Sequence, residues 1–336
     1  MRKGRIELDH GSGGEAARDL VSGLILTRLD NPYLRTMDDS AVLDVTSGRM
    51  AMTTDSYVVD PVFFPGGNIG SLAVHGTVND LAMQGANPAY LTLGLILEEG
   101  LPLQHLEAIL DAAAEAAREA GVVVVAGDTK VVPRGHADKI FINTAGVGFV
   151  PEGVNVAASN AVPGDVVIIN GAIGDHGVAI LSQREGLDFH MPLQSDAASL
   201  NRLVFHVLSS GVEVHVLRDP TRGGVATALH EIASASGVGI RLNEAQLPVN
   251  PAVASACEML GLDPLYVANE GKALFLVPGE KAERALEAMR GDPRGREARV
   301  IGDVVASHPG RAVLNTRVGG TRILSMLTGE QLPRIC

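Results

Sequence analysis

Tryptophan is absent and aromatic residues make up only 3% of the 336 residues, so the cores have to be aliphatic, built from Val, Leu, Ile and Ala. Hydrophobic residues reach 46%, enough for sizeable cores, and the length suggests two domains. Only two cysteines occur, Cys257 and Cys336. They make no disulfide framework, which fits a reducing cytoplasm. Positive charge is scarce: 27 Lys and Arg stand against 39 Asp and Glu, for a net charge of -12. A nucleic acid partner needs a basic face and is therefore excluded, whereas a nucleotide needs only a few local cations, backbone N–H groups or a metal. No apolar run approaches the ~20 residues of a membrane span. The basic start, Met1-Arg2-Lys3-Gly4, leads to Glu7 and Asp9 and not to the apolar segment of a signal peptide. The common nucleotide and metal signatures are missing too. Gly271-Lys272 is followed by Ala273 and lacks the upstream glycine of a Walker A loop. No GxGxxG opens a helix after a strand, and neither HExxH nor CxxC occurs. Use of ATP would require another phosphate device.

What is present alternates between strand-like and helix-like stretches. Residues 41–45, 49–54, 90–97, 122–126 and 139–150 read as strands. Residues 70–84 and 104–120 read as helices, stopped by Gly85 and Gly121. Pro, Gly and small polar residues cluster over 151–163 and mark a boundary. Beyond it, strands fit 165–170, 239–242, 273–277 and 299–305, and helices fit 177–185, 196–209, 224–236 and 280–290. Residues 312–315 and 322–325 read as a late hairpin. Two α/β domains follow, over 1–155 and 156–325, with a tail at 326–336. Cys257 lies in an apolar helical stretch and reads as a core thiol.

The chemistry-bearing residues sit at element edges. Asp38 and Asp39 (MDDSAV), Asp55 (TTDSYVV), Asp80 (TVNDLAMQGA) and Asp128 (VAGDTKVV) each fall where an apolar stretch begins or ends. One such Asp alone reads as a turn or cap. Several converging would suit magnesium, which takes hard oxygen ligands from one or two carboxylates plus substrate phosphates. Asp80 argues for more than a cap, because a carboxylate between Val78 and Leu81 inside a helix is costly unless compensated. Three Gly-rich segments, 10–14 (HGSGG), 171–177 (GAIGDHG) and 218–224 (RDPTRGG), each precede a helix-like stretch and could bring backbone N–H groups to an anion. Arg222 would add a charged fork there. The sequence ends in Leu332-Pro333-Arg334-Ile335-Cys336. A terminal cysteine is open to oxidation unless it has a use. Pro333 favours an extended tail, Arg334 favours the thiolate, and Leu332 and Ile335 offer a small apolar anchor.

Together HGSGG, DDSAV, TTDSYVV, GTVNDLAMQGANP, VAGDTKVV, IGDHG, RDPTRGG, ANEGK and the final PRIC resemble the HypE family of hydrogenase maturation (expression/formation) proteins, within the PurM-like ATP-binding superfamily. The resemblance implies an N-terminal mixed-sheet domain that pairs with a second subunit in a barrel-like homodimer core, followed by a C-terminal α/β sandwich. It implies that Cys336 receives a carbamoyl group from a HypF-type carbamoyltransferase and that ATP drives its dehydration to a thiocyanate. The cyano group then passes to a HypC–HypD-type complex, for the iron of a NiFe-hydrogenase. On this reading ATP and magnesium are the cofactors. Asp39, Asp55, Asp80 and Asp128 hold the metal, and Asp38, Asn79, Thr129, Asp219 and Arg222 join them in binding the nucleotide. Lys130 and Glu270 act with Cys336 in the chemistry, Glu270 as the base. Two other readings are carried: another ATP-dependent kinase or synthetase of the superfamily, and a non-enzymatic, ATP-sensing carrier that presents Cys336.

Overall fold

The structure, a computed structural model, describes residues 4–11, 15–37, 41, 43, 48–187, 193–327, 332 and 334–336. Short helices open the chain: α1 (Glu15–Leu20), a π-helical turn (Val21–Ile25), α2 (Leu26–Leu29) and α3 (Pro32–Arg35). Then come strand β1 (Arg49–Tyr57), the two-residue pair β2 (Phe63–Phe64) and β3 (Gly67–Asn68), and helix α4 (Ile69–Met83). Strand β4 (Asn87–Glu98), helix α5 (Leu103–Ala120), and strands β5 (Val123–Val132) and β6 (Ile140–Val150) complete the first half. Its sheet is mixed, in the order β1-β6-β4-β5: β6 runs antiparallel to β1 and β4, while β4 and β5 are parallel.

Helix α4 explains how the halves meet. Its start is capped by Asn68 and Ser71, which satisfy each other's backbone donors. It is then apolar on nearly every side, the pattern of a buried helix and not of a surface one. One side packs on β1, β6 and α5. Its end, Ala82 and Met83, joins the core of the second half. Asn79 finishes the seam: its amide donates to Ala198 O (3.0 Å) and Glu270 O (3.2 Å) and accepts from Leu200 N–H (2.8 Å). Gly70 is where α4 crosses α5, and a Cβ there would lie 2.1 Å from the Ile109 carbonyl oxygen.

The second half contains β7 (Asp165–Ile169), α6 (Asp175–Glu185), α7 (Asn201–Ser209), β8 (Val216–Arg218), α8 (Gly224–Ser236) and β9 (Gly239–Asn243). It continues with α9 (Pro251–Leu260), β10 (Leu274–Pro278), α10 (Ala282–Arg290), β11 (Arg299–Val305), β12 (Arg311–Asn315) and β13 (Thr321–Leu324). Seven strands form one sheet, in the order β13-β12-β9-β11-β7-β10-β8. Alternation along β7 and β10 feeds two layers. Val167, Ile169, Leu274 and Leu276 face α8, whereas Ile168, Phe275 and Val277 face α7 and α10. The expected late hairpin is β12–β13. Cys257 is buried in α9, and burial, then Asp263, pushes its thiol up to about 11. No helix among the described residues is long and apolar enough to cross a membrane.

Two expectations need correction. The strand expected at 122–126 runs on to Val132, so Asp128 and Lys130 lie within β5 and not beyond its end. The helix expected from 196 begins only at Asn201, because Asp196, Ala198 and Leu200 are laced to Glu270 and Asn79. Most of the strand expected at 41–45 lies outside the described residues. We expect Gly70→Ala to destabilise the protein by about 1–3 kcal/mol, because backbone cannot yield as a side chain does. An unchanged urea midpoint would contradict the close α4–α5 crossing.

Candidate active site

The tail is docked. Val58 N–H donates to Cys336 O at 3.0 Å, and Asp60 N–H donates to Arg334 O at 3.1 Å. These bonds, two residues apart on each segment, continue the edge of β1 along the tail. Ile335 is buried among the residues of the first core. Arg334 reaches Val58 O (3.1 Å) and pairs with Asp138, so its guanidinium is engaged there. Arg184 donates to both Arg334 O (2.7 Å) and Asp60 O (2.6 Å). The anchor is thus mainly polar, and larger than the expected pair Leu332 and Ile335. Pro333 lies outside the described residues. Cys336 is half-buried and lines a cavity of about 250 Å³ with Ser56, Val58, Arg222, Gly223, Tyr266 and Leu327.

Four carboxyl groups gather near this cavity, Asp219 and Glu270 buried, Asp55 and Asp80 partly so. Asp55, on β1, accepts from Tyr57 O–H at 3.1 Å, and Asp80, on α4, accepts from Thr53 O–H at 2.8 Å. Gly76 makes room for Tyr57: a Cβ there would lie 2.2 Å from the tyrosine oxygen. Asp219 and Glu270 approach from the second half, on loops sewn together by Asn269, which donates to Pro220 O from its backbone (3.2 Å) and its side chain (2.9 Å). Burial raises Asp55 above the ordinary carboxylate range, against the pull of Tyr57 and Arg222. Burial and then the charge of Asp55 raise Asp80. Burial, then Asp80, lifts Asp219 to about 7. Glu270 is pushed well above its usual range by burial, then by Asp219, Asp196, Asp55 and Asp80. These shifts tie four carboxyl groups into one field, facing the positive charges of Arg218 and Arg222.

Other expected residues lie elsewhere. Asn79 spends its amide on backbone and holds the seam. Asp128 forms an ion pair with Lys130 at 3.0 Å and caps Thr129 N–H at 2.9 Å. All three line a different cavity, of about 330 Å³, with His10, Gly11, Leu93, Leu95 and the apolar faces of the N-terminal helices. In register, Asp128 aligns with Gly94, then Asn143, then Ser56. Three strand spacings, about 14 Å, therefore separate it from the Asp55 edge. Asp38 and Asp39 lie outside the described residues, as do Ser12, Gly13 and Gly14. Among the described residues no three His, Cys, Asp or Glu side chains are placed to hold a metal ion. Of the expected quartet, the described Asp55 and Asp80 are not joined within one chain by Asp128. Asp55 and Asp80 are a fitting pair for a hard cation, since their raised proton affinity reflects burial and mutual repulsion that a cation would relieve.

The segments 171–177 and 218–224 do precede helices, α6 and α8. Gly223 and Gly224 take left-handed φ values of 75° and 59°, and a Cβ on Gly224 would lie 2.5 Å from Leu265 O. Sequence reasoning missed Tyr57, His176, Arg184, Asp196 and Lys272. Of these, Asp196 and Lys272 form a buried ion pair at 2.9 Å, and Asp196 also accepts Glu270 N–H at 3.0 Å. His176 stood within GAIGDHG, and Tyr57 within TTDSYVV, but nothing local distinguishes a buried tether from a core residue.

Comparison with known proteins agrees with this architecture. Family models described as AIR synthase related protein, N-terminal domain and C-terminal domain, match residues 37–150 and 162–315. The chain is 53% identical to the carbamoyl dehydratase HypE of Azotobacter vinelandii, covering all of this chain and 98% of that one. It is 48% identical to the Escherichia coli carbamoyl dehydratase HypE, with 98% and 99% covered. Among solved structures, a HypE in complex with ATP superposes with a TM-score of 0.95 at 53% identity, covering 98% and 99% of the two chains. A chain of a HypE–HypF complex gives 0.81 at 50% identity, covering 92% and 99%. A thiamine-monophosphate kinase from Stenotrophomonas maltophilia, 19% identical with a TM-score of 0.66, shares the fold alone. Two PurM-like halves with a carboxylate-lined cleft define the class: an AIR synthase-related, two-domain α/β protein. Within that class, the chain belongs to the HypE family of carbamoyl dehydratases.

The raised Asp219 has a measurable consequence. Its folded value of about 7 exceeds the unfolded carboxylate value, so the folded state binds the extra proton between these limits. The stability it lends is complete below the unfolded value and is lost as pH rises through the folded one. Asp219→Asn should therefore gain on the parent between pH ~4 and ~7, by up to about 4 kcal/mol in urea titrations. A pH-independent difference would contradict the burial of this carboxyl in a negative field.

Proposed function

We propose that the protein dehydrates an S-carbamoyl group on Cys336 to a thiocyanate at the expense of ATP. The observation that carries this is the docked tail, which sets Cys336 in a cavity with Arg222, beside buried carboxylates that want positive charge. The chemistry follows from the leaving group. The oxygen of a thiocarbamate leaves poorly, and transfer of the γ-phosphoryl group to it converts it into phosphate. The nitrogen then gives up its two protons, the C–O bond breaks, and the C≡N bond is complete. ATP and the carbamoyl group yield ADP, phosphate and the S-cyano group. Arg222 and Arg218 balance charge that develops on the phosphoryl oxygens. Magnesium, held by Asp55 and Asp80 with Asp39 and Asp128 as further candidates, would supply charge neutralisation in phosphoryl transfer. Glu270 is the candidate base: burial makes it a strong proton acceptor once ionised.

We further infer domains over 1–155 and 156–325, a carrier tail over 326–336, and a homodimer. The outward face of the first sheet exposes Met50 (56%) and Met52 (70%) toward one end and Ile96 (42%) toward the other, on strands whose other face is core. Pairing two such sheets into a barrel would bring the Asp128–Lys130 edge of one copy to the Asp55–Cys336 edge of its partner. The 330 Å³ cavity beside Asp128, Thr129 and Lys130 would then house the nucleotide at a shared site. Loading by a HypF-type carbamoyltransferase is supported by the HypE–HypF complex of a relative, and delivery to a HypC–HypD-type complex completes the cycle. Both need the thiol outside, so the tail exchanges between the docked state and an outward one.

A shared site gives a direct test. Lys130→Ala and Glu270→Gln should each leave a carbamoylated protein that accumulates. Mixing the two inactive variants and allowing subunits to exchange should restore about a quarter of the parent activity, because one site per mixed dimer is intact in a two-fold assembly. A mixture as inactive as its components places both residues in one chain's site and removes the dimeric reading.

A further inference from the structure

We propose that His176 is a positioning residue for the carrier thiol, a latch on the peptide that leads into Cys336. The ring is fully buried at the start of α6, edge-on to Phe64 with centroids 5.8 Å apart. Its Nδ1 lies 2.7 Å from Ser195 Oγ, and its Nε2 lies 2.6 Å from Ile335 O. Ser195 Oγ already accepts Ala197 N–H at 3.1 Å, so its own proton is available to Nδ1. One tautomer closes this chain: the hydroxyl donates to Nδ1, and Nε2–H donates to the Ile335 carbonyl. Burial lowers the proton affinity of the ring, which agrees with a neutral imidazole.

The geometry gives the latch its purpose. The carbonyl before Cys336 is held by His176, and the main-chain oxygen of Cys336 is held by Val58 N–H at 3.0 Å. Both flanks of the thiol-bearing residue are pinned, which leaves side-chain rotation as its main freedom. Arg184 secures Arg334 O one peptide earlier, at 2.7 Å, but it shares its donors with Asp60 O. His176 tethers by a side chain the peptide that leads into the thiol-bearing residue, and Ser195, which orients it, immediately precedes Asp196, which accepts Glu270 N–H. Docking of the tail is thereby coupled to the carboxylate cluster. The chemical consequence rests on the dehydratase reading, whereas the latch itself does not.

Amide hydrogen exchange on the full chain separates the two. Val58 and Asp60 N–H groups face tail carbonyls, so they report docking directly. His176→Ala should speed exchange at these amides by about tenfold, with little change at Ile180 on α6 or in the β4–β6 ladder. His176→Gln, which can set an amide nitrogen close to the Nε2 position, should restore protection. Exchange unchanged at Val58 and Asp60, acceleration spread equally over α6 and the ladder, or no recovery in His176→Gln would overturn the latch. In a second arm, carbamoylated His176→Ala should lose water under ATP about tenfold more slowly than the parent, while accepting the carbamoyl group at least as fast. Faster amide exchange with unchanged conversion would keep docking by His176 but overturn its role in the reaction.

Discussion

Two main-chain hydrogen bonds, Val58 N–H to Cys336 O and Asp60 N–H to Arg334 O, fix where the terminal cysteine rests. They extend the edge of β1 by a segment that comes from the far end of the chain. Everything else in the cleft is arranged around that junction. Strand β1 carries Asp55 and Tyr57 just upstream of it, and α4 brings Asp80 against Thr53 of the same strand. The second half contributes Asp219, Arg222 and Glu270 through loops held by Asn269 and Asn79. Asn79 builds the seam between the halves by pairing its buried amide with backbone groups of the second half.

The electrostatics of the cleft run against stability. Four carboxyl groups share a poorly solvated volume: Asp55 raises the proton affinity of Asp80, both raise that of Asp219, and all three raise that of Glu270. Such a cluster is costly in the resting state and becomes favourable when positive charge arrives. The same field suits a reaction that must accept protons from nitrogen, since a buried carboxylate is a stronger base than an exposed one. The thiol of Cys257 lies instead in an apolar cluster with Val178, Val253 and Val267, where burial raises its proton affinity.

Much of this was legible in the sequence, for identifiable reasons. Helix α5 was fixed by its apolar stripe and by Gly121, which takes a left-handed φ of 76° at the cap. Asp80 stood out because a carboxylate inside an apolar helix has to be compensated, and the structure compensates it with Thr53. The end of β5 was not legible: the apolar run stops at Ala126, yet parallel pairing with β4 carries the strand through Gly127 and Asp128. Strand order was not legible either. Periodicity finds strands but does not rank them across a sheet, so Asp55 and Asp128 looked equivalent although they occupy opposite edges. The polar anchors of the tail, His176, Arg184 and Asp138, are more than 140 residues away from it in sequence and carry no local signal.

On the proposed function, docked, carbamoylated Cys336 loses water in an ATP-driven step. The most direct measurement is the mass of the peptide containing Cys336, taken from protein carbamoylated by its donor, before and after ATP, with ADP quantified in parallel. That peptide should lose one water for each ATP consumed, with no phosphoryl group retained. ATP consumption without that loss, or loss of water without ATP, would contradict the proposed function.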